Sequence, residues 1–190
     1  MAELFRNKYR TTSTRLQNWD YSSPATYFIT ICTKNHKNYF GTITNISAGT
    51  QSIASLQTTE IGNIAKQEWF KTPEIRPDMN ITLGEFVVMP NHIHGILQIG
   101  IYNGDGYNDA KHQVPTSIPA FGPQSKNLGS VIRGYKSAVT TYARKQNIDF
   151  QWQSLYYESI IRTDASLNRI SHYIKNNPIK WQQDKYNKND

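Results

Sequence analysis

The chain predicts an α+β domain of ferredoxin-like type, a β-α-β-β-α-β run that builds an antiparallel sheet, with an additional C-terminal helix. Three observations carry this reading. Apolar, β-branched and aromatic residues form strand-like runs over 27–33, 81–88, 92–99 and 156–162. Helical spacing of apolar side chains appears over 58–70, 128–146 and 166–177. Between the second and third strands stands only Met89-Pro90-Asn91, a short turn that favours an antiparallel hairpin. Strands and helices in that order place helices on one face of an antiparallel sheet.

Taken in order, residues 1–23 read as a basic N-terminal arm with Arg6, Lys8, Arg10 and Arg15. Tyr27 to Thr33 is the first strand, and Cys32 within it reads as a small core residue. Residues 41–57, rich in Thr, Ser, Gly and Asn, read as a loop or hairpin. Thr58 to Phe70 is a helix in which Ile61, Ile64, Ala65 and Trp69 share a face, with Thr58 or Thr59 as cap and Pro73 near its end. The hairpin of Ile81–Val88 and His92–Ile99 follows. Residues 101–126 lack periodicity and read as a flexible connector, long for a compact domain. Leu128 to Gln146 is a helix with Val131, Ile132, Tyr135, Val139 and Tyr142 on its apolar side. Tyr156 to Arg162 is the last strand. Ser166 to Asn177 is the closing helix, with Ser166 as expected N-cap and Pro178 as stop. The domain expected from this layout spans 24–181, followed by a polar tail over 182–190.

Composition narrows the partners. A length of 190 residues suits one domain with a full core. Lys plus Arg number 21 against 14 Asp plus Glu, a net charge of +7 that favours a polyanion, because basic side chains release counterions from phosphates. Aromatics make up 12% of the chain, 12 of them Tyr, so unpaired bases have stacking partners. One cysteine excludes an internal disulfide framework. No signal peptide and no apolar run of membrane-spanning length is present, which gives a cytoplasmic expectation and no membrane partner.

The chemistry centres on His92-Ile93-His94. Two imidazoles two residues apart on a strand point to the same face and can share one divalent metal. In the closing helix, Tyr173 and Asn177 are four apart and also share a face. If that face packs over the histidine strand, a phenol and a carboxamide oxygen join the imidazoles, and coordination positions stay open for a phosphate oxygen and water. A tyrosine suits nucleophilic attack on phosphorus where the bond energy is kept for religation.

These residues have a pattern. Val88-Met-Pro-Asn-His-Ile-His94, Trp152-Gln-Ser-Leu-Tyr-Tyr-Glu-Ser-Ile-Ile-Arg162 and Tyr173-Ile-Lys-Asn-Asn-Pro178 follow Asp20-Tyr-Ser-Ser-Pro24 and Tyr27-Phe-Ile-Thr-Ile-Cys-Thr33. Together they resemble the HUH single-tyrosine transposases, in particular the REP-associated tyrosine transposases. The resemblance runs from about Arg10 to Trp181 and rests on the ordered set, since His-x-His alone is weak. It implies a ferredoxin-like core. It implies that His92, His94 and Asn177 ligate Mg²⁺ or Mn²⁺ and that Tyr173 is the nucleophile. It further implies cleavage of single-stranded DNA beside a hairpin, leaving a 5′-phosphotyrosine and a free 3′-hydroxyl. In related transposases two subunits can trade the tyrosine helix, and the connector permits such a homodimer here.

Plainer readings stand beside these. A lone His-x-His pair is often structural, Tyr173 alone would be an ordinary half-buried helix tyrosine, and Asn177 before Pro178 is a common helix end. Tyr156 and Tyr157 are rival nucleophiles that point to opposite faces. His36 and His172 read as surface residues, and His112 as a solvated connector residue. Arg133, Lys136, Arg144, Lys145 and Arg162 are candidate DNA contacts or a solvated face. The competing function is a catalytically decayed or domesticated protein that still grips structured DNA. An RNA-binding sheet ranks last, because the strands lack an aromatic-rich RNA-binding signature.

Overall fold

The computed structural model describes residue 16 and residues 19–48, 51–100 and 125–187. Most of the basic arm and the connector from 101 to 124, with His112, lie outside the described residues. The strands are β1 (Ala25–Cys32), β2 (Gly41–Ala48), β3 (Gln51–Thr58), β4 (Thr82–Val88), β5 (His92–Ile99) and β6 (Tyr157–Ile161). The helices are α1 (Glu60–Phe70), α2 (Thr72–Ile75), α3 (Leu128–Lys145) and α4 (Asp164–Asn176).

Four strands form one sheet in the order β4-β5-β1-β6, and every neighbouring pair is antiparallel. Strand β5 lies between β1 and β4, which α1 connects. That is the split βαβ arrangement of the ferredoxin-like class, and the expected α+β fold is present with its C-terminal helix. Residues 41–58, read as loop or hairpin, form the two-stranded β2-β3 hairpin, paired from Gly41↔Thr58 to Ala48↔Gln51.

Strand parity sorts the side chains of β1 and β5 into two layers. On one face Tyr27, Ile29 and Ile31 of β1 and Ile93, Leu97 and Ile99 of β5 are buried with Ile61, Ala65 and Trp69 of α1. Helix α3 completes this layer with Leu128, Val131, Ile132, Tyr135, Val139 and Ala143. Removing each such side chain from water contributes about 1.5–3 kcal/mol. Gly95 is a packing requirement here, since a Cβ on it would stand 2.4 Å from Cζ2 of Trp69. Thr59 caps α1 by accepting from the Gly62 N–H, and Asn127 with Ser130 forms a capping box at α3.

The opposite face carries His92, His94 and Ile96 of β5 and Phe28 and Thr30 of β1. Helix α4 lies on it, burying Ile174 against Ile96 and Ile161 with Phe28, Val87, Leu167 and Ile170 around them. The register of β4 shifts between Leu83 and Phe86. Within the bulge Glu85 meets Lys175 of α4 at 2.9 Å. The N-cap of α4 is Thr163, not Ser166: the Thr163 hydroxyl accepts from the Ser166 N–H at 3.1 Å, placing the serine inside the first turn. Strand β6 ends at Ile161, so the helix begins as soon as the chain has turned off the sheet.

Candidate active site

The pleat of β5 turns His92 and His94 to the α4 side, where each is at most 1% exposed. Their Nε2 atoms approach to 3.1 Å. Asn91 decides how His92 is set. Its carboxamide Nδ2 donates to the carbonyls of His36 and Tyr186, both at 2.8 Å, which fixes the amide orientation. The Asn91 Oδ1 therefore faces His92 Nδ1 at 2.9 Å and can only accept, so Nδ1 carries the proton and Nε2 presents its lone pair. On the neighbouring strand the Thr30 hydroxyl lies 2.8 Å from His94 Nδ1 and can accept a hydrogen bond from it, the tautomer that leaves the Nε2 lone pair for a cation. Ring-nitrogen orientation by such outer partners is the usual companion of metal ligation.

Burial makes both imidazoles hard to protonate. It lowers the pKa of His94 to about 3, with the Lys185 charge adding to the effect. It holds His92 well below the ordinary histidine value, aided by His94. Neutral imidazole is the form that binds metal.

Helix α4 brings Tyr173 to the same place. Its hydroxyl lies 3.1 Å from His94 Nε2, and its ring stands edge-on to Phe28 with centroids 6.0 Å apart. The side of the ring away from the sheet is open, at 41% exposure for the residue. Burial of the phenol raises its pKa first, the Asp184 charge adds to that, and a hydrogen bond with Asn177 acts the other way. Asn177 caps the C-terminus of α4 and is 2% exposed. Its Oδ1 is buried without a hydrogen-bond partner, which carries a desolvation cost unless another group meets it.

A further residue completes the cluster. Asp184 offers a carboxylate oxygen 4.0 Å from His92 Nε2, and the ligand atoms of His92, His94 and Asp184 lie within 4.8 Å of one another. This group can hold a metal ion. Two neutral imidazoles and a carboxylate form a mixed N/O set that fits a divalent cation. Neither Asp184 nor Asn91 was singled out from sequence. Asp184 falls in the stretch read as a polar tail, and only the three-dimensional return of the chain over β5, with the Tyr186 ring 4.6 Å from His92, reveals it.

The remaining sequence candidates are dispersed. Arg133, Arg144 and Lys145 are exposed on α3, on the opposite side of the sheet from Tyr173. Lys136 directs its ammonium to the backbone carbonyls of Gln153 and Ser154 and lies over the Trp152 ring. Arg162 is exposed at the end of β6. Of the rival tyrosines, Tyr156 packs against the α1/α3 core, whereas Tyr157 pairs with Thr30 and is 52% exposed on the α4 side. His172 is exposed, while His36 is partly buried and stacked on Tyr186 with centroids 5.4 Å apart.

The arrangement of sheet and closing helix is a transposase-like fold. The solved structure of a REP-associated tyrosine transposase bound to a REP hairpin superposes with a TM-score of 0.55 at 16% identity, over 92% of this chain and 77% of that one. No protein-family profile matches the sequence. The chain belongs to one family with an uncharacterized protein of Haemophilus influenzae, to which it is 42% identical over 174 residues, 90% of each.

Among the described residues, no helix is long and apolar enough to cross a membrane.

Proposed function

We propose that the protein is a metal-dependent single-stranded DNA endonuclease and strand transferase, a transposase that cuts beside DNA hairpins. The observation that carries this is the Tyr173 hydroxyl 3.1 Å from His94 Nε2, itself 3.1 Å from His92 Nε2. The shared fold with a transposase bound to a hairpin and the net charge of +7 support it. His92, His94 and Asn177 would hold Mg²⁺ or Mn²⁺, and Asp184, grouped with the two histidines, would be a further ligand. When bound, the cation supplies electrostatic stabilisation of the charge that builds on the phosphate.

The residues of the chain do the rest. Phe28 and the α4–sheet contact fix the Tyr173 ring, so the nucleophile is poised on a rigid element. Its oxygen attacks phosphorus, forming a 5′-phosphotyrosine, and the bond to the 3′ oxygen breaks to leave a 3′-hydroxyl. The phenol proton goes to solvent on the open side of the ring, and the departing oxygen takes a proton from solvent. No water is consumed at phosphorus, so attack by a 3′-hydroxyl on the tyrosyl ester rejoins strands. Arg133, Arg144, Lys145 and Arg162 are exposed and are the candidate contacts to DNA phosphates, whereas Lys136 contributes mainly by bracing residues 153–154.

The test uses end-labelled single-stranded hairpins from the DNA flanking the gene, incubated with protein and Mn²⁺. A denaturant-resistant protein–DNA band should form, and both a chelator and Tyr173→Phe should abolish it. A band that persists in Tyr173→Phe would move the nucleophile to another residue, with Tyr157 next in line. Tight hairpin binding without any band would refute the enzyme and leave a structured-DNA-binding protein.

A further inference from the structure

Beyond the end of β1 the chain makes a tight turn over Lys34–His36, and the extended residues 151–154 run beside it. The two are sewn together: Lys34 N–H donates to the Gln151 carbonyl and Gln153 N–H to the Cys32 carbonyl, both at 2.9 Å. Between them lies an open cavity of about 530 Å³ lined by Lys34, Asn35, His36, Gln151, Gln153 and their neighbours Trp152 and Ser154. Its size falls within the range of about 300–1,000 Å³ common for small-ligand sites.

The lining selects a chemistry. Three carboxamides present donors and acceptors side by side, matching the mixed pattern on the edge of a nucleobase. Imidazole and indole rings offer faces or edges for stacking. No carboxylate lines the cavity, which disfavours a cationic ligand. Lys34 is joined to the neutral Gln151 Oε1 at 2.7 Å, and no carboxylate pairs with it among the described residues, so its charge is available to a phosphate.

Position matters as much as lining. His36 is both a wall of the cavity and a stacking partner of Tyr186, whose ring faces His92. The carbonyl of His36 also accepts from Asn91 Nδ2, so the turn is joined to the residue that orients His92. Asn35 and His36 both adopt φ of 57°, a backbone region uncommon outside glycine and one in which strain often marks a functional turn.

We infer that this cavity takes one unpaired nucleobase of the strand that flanks the cut, giving the protein a sequence preference close to the scissile phosphate. The inference rests on the single-strand reading above. The amides of Gln151 and Gln153 read the base edge, His36 stacks on it, and Lys34 meets the adjoining phosphate.

The experiment measures binding of the full chain to hairpins with single-stranded flanks, by fluorescence anisotropy in chelator so that no cutting occurs. An abasic site is stepped through the flank. One register should weaken binding about tenfold, and that penalty should vanish in the Gln151→Ala/Gln153→Ala variant, which alters exposed side chains while leaving their backbone bonds. In parallel, the wild-type chain is assayed for the Tyr173 adduct in Mn²⁺. A flat scan, or a penalty unchanged in the variant, while the adduct still forms, overturns the cavity assignment and leaves the nuclease standing. Failure of the wild type to bind DNA overturns both, whereas a register-specific penalty that the variant removes, with no adduct formed, overturns the nuclease and leaves the cavity assignment standing.

Discussion

Asn91→Ala removes the acceptor that keeps a proton on His92 Nδ1 and the two donors that tie in the His36 and Tyr186 carbonyls. Metal affinity should fall about 10–100-fold with the sheet intact, as for other outer partners of ligating histidines. Titration calorimetry with Mn²⁺ reads this directly, and an unchanged affinity would mean that His92 is oriented by its burial alone. Asn91→Asp should do no better than alanine, because a carboxylate cannot donate to either carbonyl. At this scale the sequence revealed what local geometry controls. Two-residue parity put His92 and His94 on one face, and four-residue spacing put Tyr173 above Asn177. It was silent where contacts span the chain. Asn91 meets Tyr186 across 95 positions, and no spacing rule encodes such a pair.

Helix α4 is held mainly by Ile174, which is 1% exposed between Ile96 and Ile161. The Lys175–Glu85 pair is largely exposed and contributes little. Ile174→Ala should therefore cost about 2–5 kcal/mol in urea unfolding. It should also slow Tyr173 adduct formation in protein that is still folded, because the preceding residue is the proposed nucleophile. Full adduct yield at normal rate in the destabilised variant would show that the helix is placed by other contacts. Strongly patterned elements, such as β1, β5 and α3, were legible because burial imposes their periodicity. The β2-β3 hairpin was ambiguous because its Thr, Ser and Asn content suits loop and strand alike. At the start of α4, Ser166 and Thr163 have similar cap chemistry, and the end of β6 decides between them.

For the whole molecule, the two neutral imidazoles buried between sheet and helix link stability to acidity. The pKa of His94 is lowered from 6.5 to about 3 in the folded chain, and His92 moves in the same direction. Below about 6.5 the unfolded chain gains protons that the folded one refuses, so this contribution is present above that pH and lost as pH falls towards 3. Metal-free protein should show a melting temperature that drops across this interval, and the drop should shrink in a His94→Gln variant. A melting curve insensitive to pH between 7 and 4 would mean that the histidines reach solvent more readily than their burial implies.

The order of strands in the sheet also sets a timetable for synthesis. Strand β1 sits between β5 and β6, so one neighbour is translated at His92–Ile99 and the other only at Tyr157–Ile161. Tyr173, Asn177 and Asp184 emerge later still. A chain growing on the ribosome therefore carries its histidines for a long interval before Tyr173 can be set beside them. The candidate cutting centre assembles only when the last tenth of the sequence has folded back, and a product interrupted before α4 would be born without it.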